Sequence, residues 1–354
     1  MEDLNQFARE INELFELVGQ TGGSDLHLLA GSPPVIRVNG VMAPQQHLRV
    51  MQAQDIHNLI YSIITPKQRE WYEKDKELDF SHEVQSTGRF RVNVHYEKGS
   101  PGLVARLIPF QIPTMEELHI SEMAKKFAML PRGLVLLTGP AGMGKSTMMA
   151  SMIEYVNNND NKHVITLEDP IEYLFTSKKS YIRQRELGTD MNSFPEGLRH
   201  VLRQDPNIVM VGEMRDLETV SSAITLAETG HLILATLHTN SASQSIDRIV
   251  DIFPAEQQEQ IRFELSMVLE GVITLKLLPA AQGGRIPAQE ILVRNPAVAN
   301  LIRSDEVNQV DRVIQTSREE GMMSMDQSIA ELYISKMITR DVALEYIKDQ
   351  SLLG

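Results

Sequence analysis

The chain of 354 residues has no cysteine, one tryptophan and no apolar run near the roughly 18 residues that span a bilayer. Without cysteine there is no disulfide and no thiolate metal site, and the composition suits a reducing cytoplasm. Basic charge is also short. Lys and Arg total 34 against 47 Asp and Glu, a formal net charge of -13, which speaks against a general nucleic-acid grip while leaving room for one local basic channel. Glu2 and Asp3 stand where a secretory signal carries positive charge. The sequence therefore predicts a cytoplasmic chain that meets a membrane only through a partner or a surface face. No internal repeat and no low-complexity segment is present. What remains is the composition of an ordinary soluble globular protein, long enough for two or three domains.

Along the chain, Leu4, Phe7, Ile11, Leu14 and Val18 recur at helical spacing and stop at Gly22-Gly23. In "SDLHLLAGSPPVIRVNGVM" apolar and polar residues alternate, and Asn39-Gly40 signals a hairpin turn. A helical stretch around "DIHNLIYSII" follows. In "GRFRVNVHYEKGSPGLVARLIP" the period is two: Phe90, Val92, Val94 and Tyr96 point one way, and Arg89, Arg91, Asn93 and His95 the other. Residues 1–108 thus read as a small α+β domain with a sheet. Pro109 and Pro113 mark residues 109–120 as a linker and hinge. Beyond it, apolar runs at 134–137, 164–167, 208–211 and 232–237 alternate with helical stretches, as a parallel sheet covered on both faces requires. Residues 121–354 read as an α/β domain that ends in an amphipathic helical pair.

"GPAGMGKST" fits G-x-x-x-x-G-K-[ST] at Gly139, Gly144, Lys145 and Ser146, with Pro140, Ala141, Gly142, Met143 and Thr147 completing the segment. Its glycines let backbone N–H groups curl around phosphates. Lys145 is placed to meet the β- and γ-oxygens and Ser146 to hold Mg²⁺. An apolar strand-like run precedes the motif and a helical run follows it, a context that an ordinary glycine turn does not supply. The segment predicts nucleotide binding.

Three further runs end in polar residues: "VITL" in Glu168-Asp169-Pro170, "IVMV" in Gly212-Glu213, and "LILATL" in His238. Ligands of open parallel sheets sit at the carboxyl ends of strands, so these carboxylates and this imidazole are candidates for the γ-phosphate end of the nucleotide. A carboxylate can orient water or hold the Mg²⁺ shell, and an imidazole can hydrogen-bond the γ-phosphate. Taken singly, each could equally cap a helix or close a surface ion pair.

"GPAGMGKST", "ITLEDPIEY", "NIVMVGEMRD" and "ETGHLILATLHTNSA" resemble the Walker A, Asp box, Walker B and His box of the secretion-superfamily ATPases, in the expected order. "SDLHLLAGSPPVIRVNG" and "GRFRVN" are similar to the retraction ATPases of type IV pili within that superfamily. The resemblance implies a PAS-like N-terminal domain, a RecA-like ATPase domain and a homohexameric ring that hydrolyses ATP with Mg²⁺. It implies that Arg91 and Arg106 reach a nucleotide, that Glu168 activates water, that Glu213 lies near Mg²⁺, and that His231 and His238 form the His box. It implies a cytoplasmic motor at the inner face of the cytoplasmic membrane. Its partners would be a pilus platform protein, pilin indirectly, and a paralogous retraction ATPase; nucleic acid is not among them.

Several positions depart from the family pattern. Ala141 and Met143 replace polar loop residues, and Lys98 stands where arginine is common. Ala299 and Ser304 in "AVANLIRS" replace an arginine and a glutamate of a segment associated with retraction. Two other readings follow: an accessory PilU-like subunit, or an assembly or type II secretion ATPase. The latter commonly carry a longer N-terminal region and a four-cysteine zinc module, for which this chain has no cysteines.

Overall fold

The computed structural model describes residues 2–38, 40–108 and 111–353, with the side chains of 2–4 excepted. Leu4's side chain, Asn39 of the expected hairpin turn and the expected hinge residue Pro109 lie outside the described residues. The chain forms two compact units, Met1–Gln111 and Ile112–Gly354.

The first unit opens with α1 (Glu2–Gln20), followed by β1 (Gly23–Leu28), β2 (Val35–Val38) and β3 (Val41–Pro44). Then come α2 (Ala53–Ile63), α3 (Pro66–Asp75), β4 (Glu77–Val84), β5 (Gly88–Glu97) and β6 (Ser100–Leu107). Thr65 caps α3 with its hydroxyl, Pro66 occupies the first turn, and Lys76 ends the helix in the left-handed region. The six strands form one antiparallel sheet in the order β3-β2-β1-β6-β5-β4. Helical spacing on α1 delivers Ile11, Phe15 and Val18 to a core shared with Leu59 and Ile60 of α2 and Leu26, Phe90, Val92 and Val94 of the sheet. Phe15 stacks on Phe90 at 4.5 Å between ring centroids.

The other face of that sheet is polar, and the register builds a row across it. Arg37 is opposite Asp25, Asp25 opposite Arg106, Arg106 opposite Arg91, and Arg91 opposite Ser81. Directly opposed residues share a face, so three guanidiniums stand in line with one carboxylate among them.

The second unit runs α4 (Glu122–Ala128), β7 (Gly133–Thr138), α5 (Lys145–Asn159), β8 (His163–Glu168), β9 (Tyr181–Glu186), α6 (Phe194–Val201), β10 (Ile208–Val211) and α7 (Leu217–Glu228). It continues with β11 (Leu232–Leu237), α8 (Ala242–Asp251), α9 (Ala255–Val268), β12 (Leu269–Pro279), β13 (Arg285–Val293), α10 (Pro296–Arg303), α11 (Val310–Thr316), α12 (Met325–Ile334) and α13 (Arg340–Tyr346). The sheet order is β13-β12-β7-β11-β10-β8-β9, parallel throughout except for the edge strand β13. The continuous apolar runs serve two cores at once. Leu134, Leu136, Val209 and Ile233 pack with α6 to α10, while Val135, Leu137, Met210 and Leu234 pack with α4 and α5. The chain therefore has the two-part α/β architecture that its patterning predicts, with a parallel sheet carrying the loop at Gly139. Residues 112–120, read from sequence as linker, lie in this unit, where Met115 is buried and the Pro113 carbonyl accepts from the Ser151 hydroxyl at 2.6 Å. Among the described residues no helix is long and apolar enough to cross a membrane.

Because Phe90 is fully buried and stacked, Phe90→Ala should destabilise the first unit by about 3–5 kcal/mol, read as a lowered urea midpoint. A midpoint equal to that of the parent chain would contradict the core placed between α1 and β5.

Candidate functional site at the carboxyl ends of the parallel strands

The glycine-rich loop leaves β7 at Thr138 and enters α5 at Lys145. Two backbone constraints shape it. Gly139 has φ +138° and a Cβ there would lie 2.6 Å from the Leu275 carbonyl oxygen of β12, so only glycine fits. Gly144, at φ +84°, turns the chain into the helix. β12 pairs with β7 only as far as Thr274 opposite Thr138, and beyond that point its edge is open to the loop. The Met143 sulfur accepts from the Leu277 N–H at 3.3 Å, so this departure from the family pattern fastens the loop to β12.

Lys145 is 7% exposed. Its ammonium donates to the carbonyls of Gly139 at 2.6 Å and Pro140 at 2.9 Å and lies 3.4 Å from His238 Nδ1. Burial lowers its pKa, while the carboxylates of Glu213 and Glu172 act to raise it. His238 follows β11 and places Nε2 3.2 Å from Glu213 Oε1. Glu213 follows β10, and its other oxygen meets Arg215 Nη2 at 2.7 Å. Burial raises the Glu213 pKa, but the Arg215 guanidinium and His238 outweigh it and hold the carboxyl below the ordinary range. β7, β11 and β10 are neighbours in parallel register, which is why residues 145, 238 and 213 meet. A continuous chain of contacts, Lys145–His238–Glu213–Arg215, lines the loop.

Glu168 is placed differently. It is the last residue of β8, 5% exposed, and accepts from the Thr166 hydroxyl at 2.5 Å and from Gln184 Nε2 at 3.0 Å. Burial raises its pKa, so its environment favours the neutral acid. Gln184 also donates to the Tyr173 carbonyl, which fixes the segment after Glu168. That segment returns to the loop: the Tyr173 hydroxyl lies 3.0 Å from Thr147 Oγ1, and Glu172 is near enough to act on the charge of Lys145. Of the two glutamates in this segment, it is Glu172, four residues after Glu168, whose charge acts on Lys145.

His231 lies apart from the other residues expected at the site. It precedes β11, with Nδ1 near the Leu226 carbonyl and the Thr229 hydroxyl, whereas His238 follows the strand. Six extended residues separate the two ends by about 20 Å, so His231 cannot reach a ligand in its own chain's loop. Arg91 and Arg106 lie in the first unit, on the polar row, where Arg91 Nε is 4.0 Å from Asp79 and Arg106 Nε is 2.8 Å from Asp25. Lys98 sits with Gly99 in the tight turn joining β5 and β6, both at positive φ. Sequence reasoning missed Glu172, Tyr173 and Arg215, although "EDPIEY" and "GEMRD" carry them beside the expected positions.

The sequence profile described as type II/IV secretion system protein matches residues 2–340. The chain belongs to that family. It is 47% identical over 339 residues to the type IV pilus retraction ATPase PilT of Pseudomonas aeruginosa, covering 96% of this chain and 98% of that one. It is 39% identical to the type IV pilus ATPase PilU of the same organism, over 95% of this chain and 88% of that one. A crystal structure of the pilus retraction motor PilT with bound ADP matches with a TM-score of 0.89 and 44% identity, covering 96% and 98% of the two chains. Within this secretion family, the two-part α/β fold of the chain is thus that of a known motor.

At Gly139 an added methyl must displace strand backbone and hold an unfavourable φ. Gly139→Ala should therefore cost the second unit about 1–3 kcal/mol, seen as a lower thermal unfolding midpoint. Gly142→Ala, where nothing lies within 4 Å of the added carbon, bears only the positive φ and should cost less.

Proposed function

We propose that the chain is an ATPase that drives retraction of type IV pili, working as a homohexameric ring at the inner face of the cytoplasmic membrane. The observation that carries this reading is the meeting of Lys145, His238 and Glu213 at the ends of three adjacent parallel strands, in a chain 47% identical to PilT. The ADP held by the PilT relative supports a nucleotide in the equivalent loop.

In this reading, residues 139–147 cradle the phosphates with backbone N–H groups at the start of α5. Lys145 exchanges its two loop carbonyls for phosphate oxygens. Ser146 in the first turn of α5 and the ionised Glu213 supply the oxygen donors that suit a hard cation. A Mg²⁺ held by these two residues would supply charge neutralisation at the phosphates. His238 lies between lysine and glutamate, placed to hydrogen-bond the γ-phosphate. We assign the orientation of the attacking water to Glu172, the carboxylate of this segment that acts on the charge of Lys145, and give the buried Glu168 the task of anchoring the segment through Gln184. Arg91 and Arg106 are assigned to the nucleotide of a neighbouring protomer, where guanidiniums stabilise transition-state charge. The pilus platform protein, and pilin through it, are the proposed mechanical partners.

Lys145→Ala should abolish nucleotide binding or turnover, and unchanged turnover would refute the assigned pocket. Glu172→Gln should lower kcat by about 10²-fold or more with ATP affinity kept, whereas Glu168→Gln should cost far less. The reverse order returns water activation to Glu168. Arg215→Ala removes the cation that holds Glu213 ionised, so its pKa rises and the acid limb of the pH–rate profile should move to higher pH. A limb that stays in place would separate Glu213 ionisation from turnover.

A second reading, an accessory subunit like PilU, is favoured by α10. Ala299 is buried there and Ser304 caps the helix end, where the retraction-associated segment carries arginine and glutamate. Retraction with this protein as the sole motor supports the first reading; dependence on a paralogue supports the second.

A further inference from the structure

The polar row of the first unit contains a carboxylate whose burial needs an explanation. Asp25 is 3% exposed although it sits on the polar face of β1. A charge taken out of water is costly unless it is paired, and Asp25 is paired three times. It accepts from the Ser24 hydroxyl at 2.7 Å, meets Arg37 Nε at 3.6 Å, and accepts from Arg106 Nε at 2.8 Å. The two arginines are used differently. Arg37 also donates from Nη1 to the Gly40 carbonyl at 2.9 Å, which commits its fork to its own turn. Arg106 touches Asp25 through Nε, and among the described residues it has no other acceptor. Its side chain is 72% exposed.

We propose that Asp25 is a positioning residue that grips Arg106 side-on at Nε, leaving both Nη nitrogens aimed outward for the nucleotide phosphates of a neighbouring protomer. The proposal rests on the reading above that Arg106 completes a neighbour's pocket. Register makes the grip possible. Asp25 and Arg106 are directly opposed across β1 and β6, and β1 and β5 flank β6 on either side, so the backbone under Arg106 is fixed. An exposed arginine without such a hold samples many rotamers and must be ordered each time it meets phosphate. A carboxylate at Nε removes that cost while leaving the bidentate edge available, because Nε and the paired Nη groups donate in different directions. Ser24 and Arg37 in turn hold Asp25 in place. Arg91 stands next in the row, so the same sheet presents a second guanidinium beside the first.

The test is steady-state ATPase kinetics on the full chain, with ring size followed by light scattering. Asp25→Asn keeps the shape and loses the charge. It should lower kcat about tenfold while KM for ATP and ring size stay the same, and Asp25→Glu should recover part of the loss. Because Asp25 acts through Arg106, Asp25→Asn combined with Arg106→Ala should be no slower than Arg106→Ala alone. A double variant far slower than that single variant would overturn the proposal, as would Asp25→Asn at parental turnover beside a slow Arg106→Ala. Parental turnover in Arg106→Ala would instead remove Arg106 from the pocket altogether, a failure of the underlying reading. If Asp25 variants do not fold, Arg106→Lys decides. Lysine keeps the charge but has no Nε to grip, so it should be as slow as Arg106→Ala, and parental turnover there would overturn the proposal.

Discussion

The buried ammonium of Lys145 is the constraint around which the second unit is arranged. A lysine withdrawn from water must keep hydrogen-bond acceptors and nearby negative charge, or it gives up its proton. Here two loop carbonyls supply the acceptors and Glu213 and Glu172 supply the field. The same contacts make the lysine exchangeable. Carbonyls of the glycine loop are neutral acceptors, and phosphate oxygens are charged ones, so the ammonium has an electrostatic reason to change partners. His238 and Arg215 extend this arrangement outward and keep Glu213 ionised within hydrogen-bond reach of the imidazole.

Such a site needs a firm floor, and β12 provides it. The loop crosses the open edge of β12 just past the point where β7 ends, with Gly139 against the Leu275 carbonyl and Met143 against the Leu277 N–H. A larger residue at 139 cannot approach so closely, and without Met143 the Leu277 N–H loses that acceptor. The methionine that departs from the family pattern therefore turns its sulfur to the backbone of β12. It substitutes a soft, adaptable contact with the sheet for a polar side chain. Binding by backbone N–H groups does not depend on that position.

What could be read from the sequence follows from which physical signals are local. β7, β8, β10 and β11 announced themselves because strands buried on both faces must be apolar on both faces. β9, β12 and β13 did not, because Arg183, Lys276 and Pro287 interrupt them, and only the register of their neighbours makes them strands. The loop and the polar residues that follow each strand were legible for the same local reason. Which glutamate of "EDPIEY" acts on the lysine was not. Glu168 is held by Thr166 and by Gln184 of β9, and it is Glu172, four residues on, whose charge acts on Lys145. His231 and His238 share one motif, yet a six-residue strand carries them to opposite ends of the sheet.

The first unit answers a different requirement. In the proposed role, guanidiniums that meet a phosphate must be placed to within a fraction of an ångström, and loops do this less well than strands. Setting Arg91 and Arg106 on adjacent antiparallel strands fixes their spacing through the backbone, and the helices on the opposite face hold that backbone against a single core. Like charges side by side repel, and Asp25 within the row, with Asp79 beside Arg91, offsets part of that repulsion. The acidic balance of the whole chain makes the row stand out further, as a line of cations on a molecule of net charge -13.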